Sequence, residues 1–79
     1  MHERLIAVLT QVFGLRSDRI VPGLTKDDVG SWDSLKQMDL VVSLENEFEI
    51  VLEIEDIVEM TSVASIVNIL INKGVDLGA

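Results

Sequence analysis

Apolar residues recur at spacings of three and four along three segments of the chain, and this helical period constrains the fold most strongly. The segments are residues 3–14, residues 33 or 34 to about 48, and residues 62–74. Such spacing gathers the apolar side chains on one face of each helix, where they can pack into a common core. The candidate core positions are, in chain order, Leu5, Val8, Leu9, Val12, Leu40, Val41, Leu44, Phe48, Val63, Ile66, Val67, Leu70 and Ile71.

The ends of the first and last segments carry residues that typically begin or end helices. Gly14 predicts the end of the first helix, because glycine readily adopts the left-handed conformation found there. Thr61 or Ser62 predicts the N-cap of the last helix. Gly74 marks its end, and Lys73 places a positive charge near the negative pole of the helix dipole.

A connection of nineteen residues, 15–33, separates the first two helices and is far longer than the usual four to six or so. Pro22, Gly23 and Gly30 interrupt any regular period within it. Residues 25–28 resemble a capping box and favour a short turn of helix from Asp27. The apolar side chains expected to anchor the connection to the bundle are Ile20, Val21, Leu24, Val29 and Trp32.

Residues 49–55 alternate between apolar and acidic side chains, a pattern typical of a strand when it is taken alone. A lone strand among helices would have no partner for its backbone hydrogen bonds. We therefore predict an extended loop that leads into a short helix near residues 55–59. The expected fold is an all-α four-helix bundle of three longer helices and one short helix, with a long first loop, in a single domain of residues 1–79.

The net charge of −8 is confined to the second part of the chain. Acidic and basic residues cancel in residues 1–32, whereas residues 33–79 hold ten acids against two lysines. Such a field repels nucleic acid and anionic lipid and speeds encounters with basic protein surfaces, although it can also serve only to keep a protein soluble. Repulsion among the acids of residues 45–59 predicts a fold that is marginal at low salt and firmer with added salt or divalent cations.

Few side chains of this sequence could perform catalysis by themselves. The chain has no cysteine and a single histidine, His2, so Cys–His and Ser–His–Asp arrangements are excluded. No glycine-rich phosphate loop, zinc-ligand spacing or EF-hand loop is present. The acidic pairs at residues 27–28 and 55–56 are typical of solvated surface. We predict a protein that is not an enzyme, has no catalytic or metal-ligating residues, and needs a cofactor or a partner for its chemistry.

No segment of the sequence indicates export or membrane insertion. Residues 1–14 lack the pattern of a secretory leader, and no apolar run approaches the roughly 20 residues that span a bilayer. The expected form is a cytoplasmic monomer without stable membrane insertion.

Ser34 lies at the start of the second helix and has two interpretations. With Gln37 it fits an S-x-x-Q capping box, in which its hydroxyl would accept a backbone hydrogen bond. If Asp33 is the cap instead, Ser34 becomes the first helical residue and its hydroxyl is free to point outward. A phosphoryl group on that hydroxyl would meet unpaired amides and the positive pole of the helix.

The second helix has more apolar surface than a small bundle normally buries. Leu35, Met38 and Val42 form an apolar row apart from the candidate core positions. This row either packs between neighbouring helices or faces a partner, and we favour the partner.

The residues around Ser34 resemble the signature of acyl carrier proteins, in which D-S-L is followed by L, then L-E, then F. The matching residues are Asp33, Ser34, Leu35, Leu40, Leu44, Glu45 and Phe48. The resemblance covers nearly the whole chain, including residues 12–14, Ile20 and residues 60–63. It implies a four-helix bundle in which this motif opens the second helix.

The resemblance also implies a function for Ser34. In that family a dedicated magnesium-dependent transferase esterifies the serine with 4′-phosphopantetheine from coenzyme A, and Asp33 and Leu35 flank the attachment site. The arm then carries acyl groups as thioesters among acyl-loading and acyl-transferring enzymes, whose basic surfaces the carrier would meet through an acidic and apolar face. The candidate partner-binding residues are Leu35, Met38, Asp39, Val42 and Glu45.

The family further implies an apolar cleft between the second and third helices that shelters the acyl chain. Its candidate lining residues, which could equally be ordinary core, are Met38, Val42, Ile54, Ile57 and Met60.

Two positions depart from the pattern of many fatty-acid carriers. Lys36 stands where they have an acid, and Trp32 where they have a smaller residue. The overall resemblance implies a carrier of a fatty-acid, polyketide or related pathway. Within that range these two departures favour a stand-alone carrier outside housekeeping fatty-acid synthesis, in a polyketide, modified-lipid or other specialised pathway, and they also admit D-alanyl or peptidyl-type aminoacyl cargo. An unmodified acidic helical interaction module is the alternative from another class.

Overall fold

The computed structural model describes residues 2–77 of the chain as a bundle of helices. Helix α1 spans Glu3–Phe13, α2 spans Ser34–Phe48, α3 spans Ile54–Glu59 and α4 spans Val63–Asn72, with a 3₁₀ turn at Ser17–Arg19. Within residues 2–77 the only strand-like pairing is one antiparallel bridge between Thr25 and Ser62. The prediction of an all-α fold with three longer helices and one short helix is confirmed.

The core gathers buried residues of α1, α2, α4 and the first connection, and most of them are aliphatic. Its most deeply buried side chains, each no more than 1% exposed, come from all three long helices and from the residue that follows α3. Full burial of one such side chain contributes roughly 1.5–3 kcal/mol relative to exposure. These residues are Leu5, Leu9, Leu40, Leu44, Met60, Ile66 and Leu70.

The buried face of α4 differs from the prediction at two positions. Ile69 is 5% exposed and belongs to the core, whereas Ile71 is 55% exposed. The helical period explains the difference, because residue 69 follows Ile66 by three positions and shares its face, while Ile71 is five positions away. The end of α4 was predicted correctly, since Gly74 adopts a left-handed φ of 86° there.

The long connection between α1 and α2 is anchored by four of the five predicted side chains. Ile20, Leu24, Val29 and Trp32 are buried, but Val21 is 47% exposed and the prediction for it is wrong. The Ile20 side chain occupies the buried side of the chain at this point, so its immediate neighbour is directed to solvent.

The turn predicted near Asp27 forms at residues 26–28, but it is an isolated turn and only one of the two reciprocal bonds of the suggested capping box is present. The Asp28 carboxylate accepts from both the amide and the hydroxyl of Thr25, each at 3.1 Å. The chain makes a turn here without continuing into a helix. The Asp28 amide bonds the Thr25 backbone carbonyl and not its hydroxyl, and no periodic apolar face follows to extend the turn into a helix.

The same connection is tied to the start of α4 through the backbone. The first amides of a helix have no partner within it, and here loop carbonyls supply two of the missing acceptors. A third bond runs in the opposite direction. The bonds join Val63 N to Leu24 O (2.9 Å), Ala64 N to Pro22 O (3.1 Å) and Lys26 N to Thr61 O (3.0 Å).

The segment before α3 is an extended loop, as predicted, and a side chain of α2 holds it in place. The Glu45 carboxylate accepts a hydrogen bond of 2.9 Å from the amide of Leu52. Helix α3 contributes no fully buried residue of its own. It is held between Leu52 and Met60, which flank it and are 7% and 0% exposed.

The N-terminal end of α1 is fastened to the C-terminal end of α2. Arg4 Nε lies 2.9 Å from Glu47 Oε2, and Arg4 Nη2 donates to the Glu47 backbone carbonyl. The Arg4 guanidinium also lies 4.9 Å from the centroid of the Phe48 ring. These contacts place a cation at the negative pole of α2, where it is favoured.

Candidate functional site

Asp33, and not Ser34, caps the N-terminal end of α2. Its backbone is extended, and its carboxylate accepts a hydrogen bond of 2.9 Å from the amide of Lys36. Its carbonyl accepts the first backbone bond of the helix from Gln37, at 2.8 Å. Of the two interpretations left open by the sequence, the structure therefore selects the one in which Ser34 is the first helical residue.

This cap leaves Ser34 available. Ser34 is exposed, and its hydroxyl makes no hydrogen bond with any other group in residues 2–77. Within the same part of the chain, the amides of Ser34 and Leu35 also have no hydrogen-bond acceptor. A hydroxyl and two outward amides thus stand together at the positive end of a fifteen-residue helix.

Gln37 does not complete a capping box with Ser34, but joins three parts of the fold. Its Oε1 accepts a 2.5 Å hydrogen bond from the indole Nε1 of Trp32. Its Nε2 donates to the carbonyls of Ile57 and Met60, at 2.8 and 3.3 Å, at the end of α3. The sequence did not predict this role. Trp32 and Gln37 are close enough in sequence to suggest a contact, but the carbonyls of Ile57 and Met60 are twenty or more residues away.

The apolar row on α2 faces solvent. Leu35 is 83% exposed, Met38 54% and Val42 50%, so these residues do not pack between neighbouring helices. Asp39 lies beside them and is also exposed. Helix α3 also has exposed large apolar side chains, namely Ile54 and Val58.

Glu45, the last of the candidate partner-binding residues, has a more internal environment than the other four. It is only partly exposed, and one of its carboxylate oxygens is committed to the Leu52 amide. Its carbonyl also accepts from the amide of Glu49, which ends α2 in the left-handed conformation. Glu45 thus has a structural role in the turn between α2 and α3.

The five residues named for an apolar cleft do not share one environment. Met60 is completely buried and Ile57 is partly buried, whereas Ile54 is 76% exposed. The remaining two, Met38 and Val42, belong to the exposed row on α2. Met60 therefore acts as core, while three of the five are available to contact molecules outside the chain.

The acids near α3 lie at the surface, and one of them is paired. Asp56 Oδ2 lies 2.9 Å from Lys73 Nζ. The hydrogen bond from Lys73, with a second from the Glu53 amide, lowers the pKa of Asp56 below its usual 3.8, and the same pair raises the pKa of Lys73 above its usual 10.5. Lys73 thus pairs with a side chain of α3 in addition to its place at the end of α4.

Two further properties of residues 2–77 concern metal binding and membrane insertion. No group of three or more His, Cys, Asp or Glu side chains in this part of the chain is arranged to hold a metal ion. None of its helices combines the length and the apolar character needed to cross a bilayer.

Comparison with known proteins identifies the family of the chain. The family described as the phosphopantetheine attachment site matches residues 3–70. An acyl carrier protein of Chlorobium phaeobacteroides is 29% identical over 74 residues, which cover 92% of this chain and 94% of the relative. The family match over most of the chain defines a carrier domain, and the chain belongs to the acyl carrier protein family. The cofactor of this family is 4′-phosphopantetheine.

Proposed function

We propose that Ser34 carries 4′-phosphopantetheine and that the chain presents acyl groups, held as thioesters on this arm, to enzymes of a fatty-acid, polyketide or related pathway. The observation that carries the proposal is the exposed Ser34 hydroxyl, left without an internal partner by the Asp33 cap. Membership of the acyl carrier protein family supports it.

The start of α2 fits a phosphodiester. The amides of Ser34 and Leu35 are unpaired within residues 2–77 and lie at the positive pole of the helix, where an anion is stabilised. Ser34 and Leu35 would hold the phosphate through these amides. Asp33 would cap the helix itself, so that the Ser34 hydroxyl stays free for attachment. The bound arm supplies a thiol for thioester chemistry, and a chain without cysteine offers no second thiol to divert the cargo.

Ser34 is an acceptor that another protein must activate. Its flanking acid, Asp33, already accepts a hydrogen bond from the Lys36 amide and is poorly disposed to remove the proton of a serine hydroxyl. We propose that the chain has no catalytic activity of its own. The phosphopantetheinyl transferase then provides the base, and the carrier provides the positioned hydroxyl.

The exposed face beside Ser34 supports contact with basic partner enzymes. Leu35, Met38 and Val42 would form its apolar centre, and Asp39 and Glu45 its acidic edge. The net charge of −8 would steer encounters and make them salt-sensitive. We further propose a cytoplasmic monomer whose single carrier domain spans residues 1–79, since a carrier must leave each partner and small transient contacts suit this exchange.

Labelling tests the proposal directly. The unmodified protein is incubated with coenzyme A, magnesium and a broad-specificity phosphopantetheinyl transferase, and its mass is measured. We expect one phosphopantetheine on the wild-type chain and none on Ser34→Ala, with Ser43→Ala as a matched control on the same helix that labels normally.

The possible results separate the alternatives. No added mass on the wild type would leave an unmodified acidic interaction module, and labelling of Ser34→Ala would move the site elsewhere. The acyl or aminoacyl group found on protein purified from its source identifies the cargo and distinguishes acyl from D-alanyl or peptidyl-type carriage.

A further inference from the structure

One side chain connects the turn that holds Ser34 to the short helix α3. Gln37 follows Ser34 by three residues, a rise of about 4.5 Å along the helix axis. Its Oε1 accepts from the Trp32 indole, and its Nε2 donates to the carbonyls of Ile57 and Met60. The Gln37 amide nitrogen carries two protons, and two backbone carbonyls lie within hydrogen-bond distance of it.

Each end of this bridge is fixed to a different part of the fold. The Trp32 indole is 4% exposed and its ring centroid lies 4.6 Å from that of Phe13, which connects the bridge to α1. On the other side, Ile57 lies in α3 and Met60 is the residue that follows it. The Gln37 backbone amide bonds the carbonyl of Asp33, the cap of α2.

Helix α3 depends on such contacts more than the long helices do. None of its six residues is fully buried. Apart from its flanking anchors Leu52 and Met60 and the partly buried Ile57, it is held by the Asp56–Lys73 ion pair and by the amide of Gln37. Of these two polar contacts, only the Gln37 amide reaches α2 within one turn of Ser34.

We infer that Gln37 is a positioning residue, which fixes α3 relative to the Ser34 turn so that both are presented to a partner as one surface. This inference rests on the proposed function of Ser34. Gln37 acts through the relative placement of Leu35 on α2 and Val58 on α3, which are 83% and 71% exposed. Because Gln37 contacts no reacting atom, its loss weakens recognition and leaves the rate of the chemical step unchanged.

Two substitutions separate the halves of the bridge. Gln37→Glu keeps an acceptor for the Trp32 indole but loses both donors, and it directs a carboxylate at the carbonyls of Ile57 and Met60. Gln37→Met is close to Gln in volume and loses every hydrogen bond of the side chain. The matched control is Ser65→Ala, which removes bonds to Thr61 and Ser62 at the start of α4.

The first measurement is steady-state modification of unmodified carrier by the transferase, with coenzyme A saturating. We expect KM for both Gln37 variants to rise at least about fivefold, the equivalent of roughly one lost hydrogen bond, with kcat unchanged. Ser65→Ala should keep the wild-type KM despite a similar fall in melting temperature. Wild-type KM in both Gln37 variants, or an equal rise in Ser65→Ala, would overturn the inference.

A second measurement does not depend on modification. Amide hydrogen exchange should accelerate at Lys36 and Gln37 as well as at Ile57 and Met60 in the Gln37 variants, because both ends of the bridge are released together. Faster exchange confined to α3 would overturn the coupling. An unlabelled wild type would overturn the site at Ser34, whereas a labelled wild type with unaffected Gln37 variants would overturn only the role of Gln37.

Discussion

The carboxylate of Asp33 lies 2.9 Å from the backbone amide of Lys36, and this hydrogen bond determines what Ser34 can do. A serine at this position of a helix would otherwise be a good cap, with its hydroxyl turned toward the backbone. Because Asp33 satisfies the amide, the Ser34 hydroxyl remains exposed at the first residue of α2. Availability of the serine is therefore a consequence of its neighbour.

Replacing Asp33 should affect both stability and modification. Asp33→Ala removes the cap and should lower the free energy of unfolding by about 1 kcal/mol. It should also slow labelling of Ser34, because this hydroxyl becomes the nearest group able to cap α2. Asp33→Asn retains a capping oxygen and is the control, with near wild-type labelling in a mass-spectrometric time course. Equal rates for the two variants would argue against the cap as the cause.

Substitutions in the exposed apolar row should affect partners and not the fold. Leu35→Ala and Met38→Ala should change the free energy of unfolding by less than about 0.5 kcal/mol, since both side chains face solvent. KM for the transferase should rise in both, as measured by steady-state labelling. Ile71→Ala, at a position on α4 that is 55% exposed, is the matched control. An equal effect at Ile71 would show that general surface hydrophobicity, and not this row, is recognised.

The contact between Arg4 and Glu47 should contribute measurably to stability although it lies at the surface. Arg4→Met loses an ion pair, a hydrogen bond to a helix-end carbonyl and the contact with Phe48, which together should lower the free energy of unfolding by about 1 kcal/mol. Arg16→Met removes only the exposed pair with Asp18 and should change almost nothing. Urea denaturation measures the free energy of unfolding of both variants. An equal decrease in the two would show that the contacts of Arg4 at the end of α2 contribute no more than an exposed ion pair.

The ion pair between Asp56 and Lys73 predicts a defined dependence on pH. The folded state lowers the pKa of Asp56 below 3.8, so this contribution is complete above that pH and is lost as pH falls through the lower folded value. The folded state raises the pKa of Lys73 above 10.5, so its contribution is complete below that pH and is lost as pH rises further.

Comparison of the wild type with Lys73→Met isolates this effect. The difference in free energy of unfolding should stay constant between about pH 5 and 9 and shrink only outside the two limits. Chemical denaturation across this range measures it. A difference that changes steadily between pH 5 and 9 would show that other groups are involved.

Added salt should raise the melting temperature. Glu49, Glu53, Glu55 and Glu59 are exposed and form no ion pair within residues 2–77, so their repulsion is screened by ions. Scanning calorimetry from about 10 to about 200 mM NaCl should show a rise that is smaller in Glu59→Gln. A melting temperature that does not respond to salt in either protein would remove repulsion as a factor in stability.

The helices and many of the residues that form the core could be predicted from the spacing of apolar residues in the sequence. The period of three and four places Leu5, Leu9, Leu40, Leu44 and Ile66 in the core, because each helix buries one face regardless of which neighbour covers it. The alternation at residues 49–55 was misleading as a strand signal, and the absence of a second strand was the better guide. The position of Ser34 at a helix start followed from capping chemistry, but the choice of Asp33 as cap needed the structure.

What could not be predicted depends on contacts between residues distant in sequence. Gln37 fits a local capping box, yet its amide binds carbonyls twenty and twenty-three residues further along the chain. The sequence suggests that Glu45 is a free surface acid, yet its carboxylate accepts a hydrogen bond from the Leu52 amide. Both side chains satisfy backbone groups that the tertiary fold brings to them, and no spacing in the sequence records where those groups will lie.

Backbone hydrogen bonds to α4 fix the path of the first connection, and they do not depend on the exposed side chains of that connection. Carbonyls of Pro22 and Leu24 and the amide of Lys26 are present whatever residue supplies them, apart from a proline at position 26. Exposed positions such as Val21 and Gly23 are thus free to diverge between related carriers while the path of the connection is preserved. The loop can acquire new surface chemistry over evolutionary time without disturbing the helix that begins at Ser34.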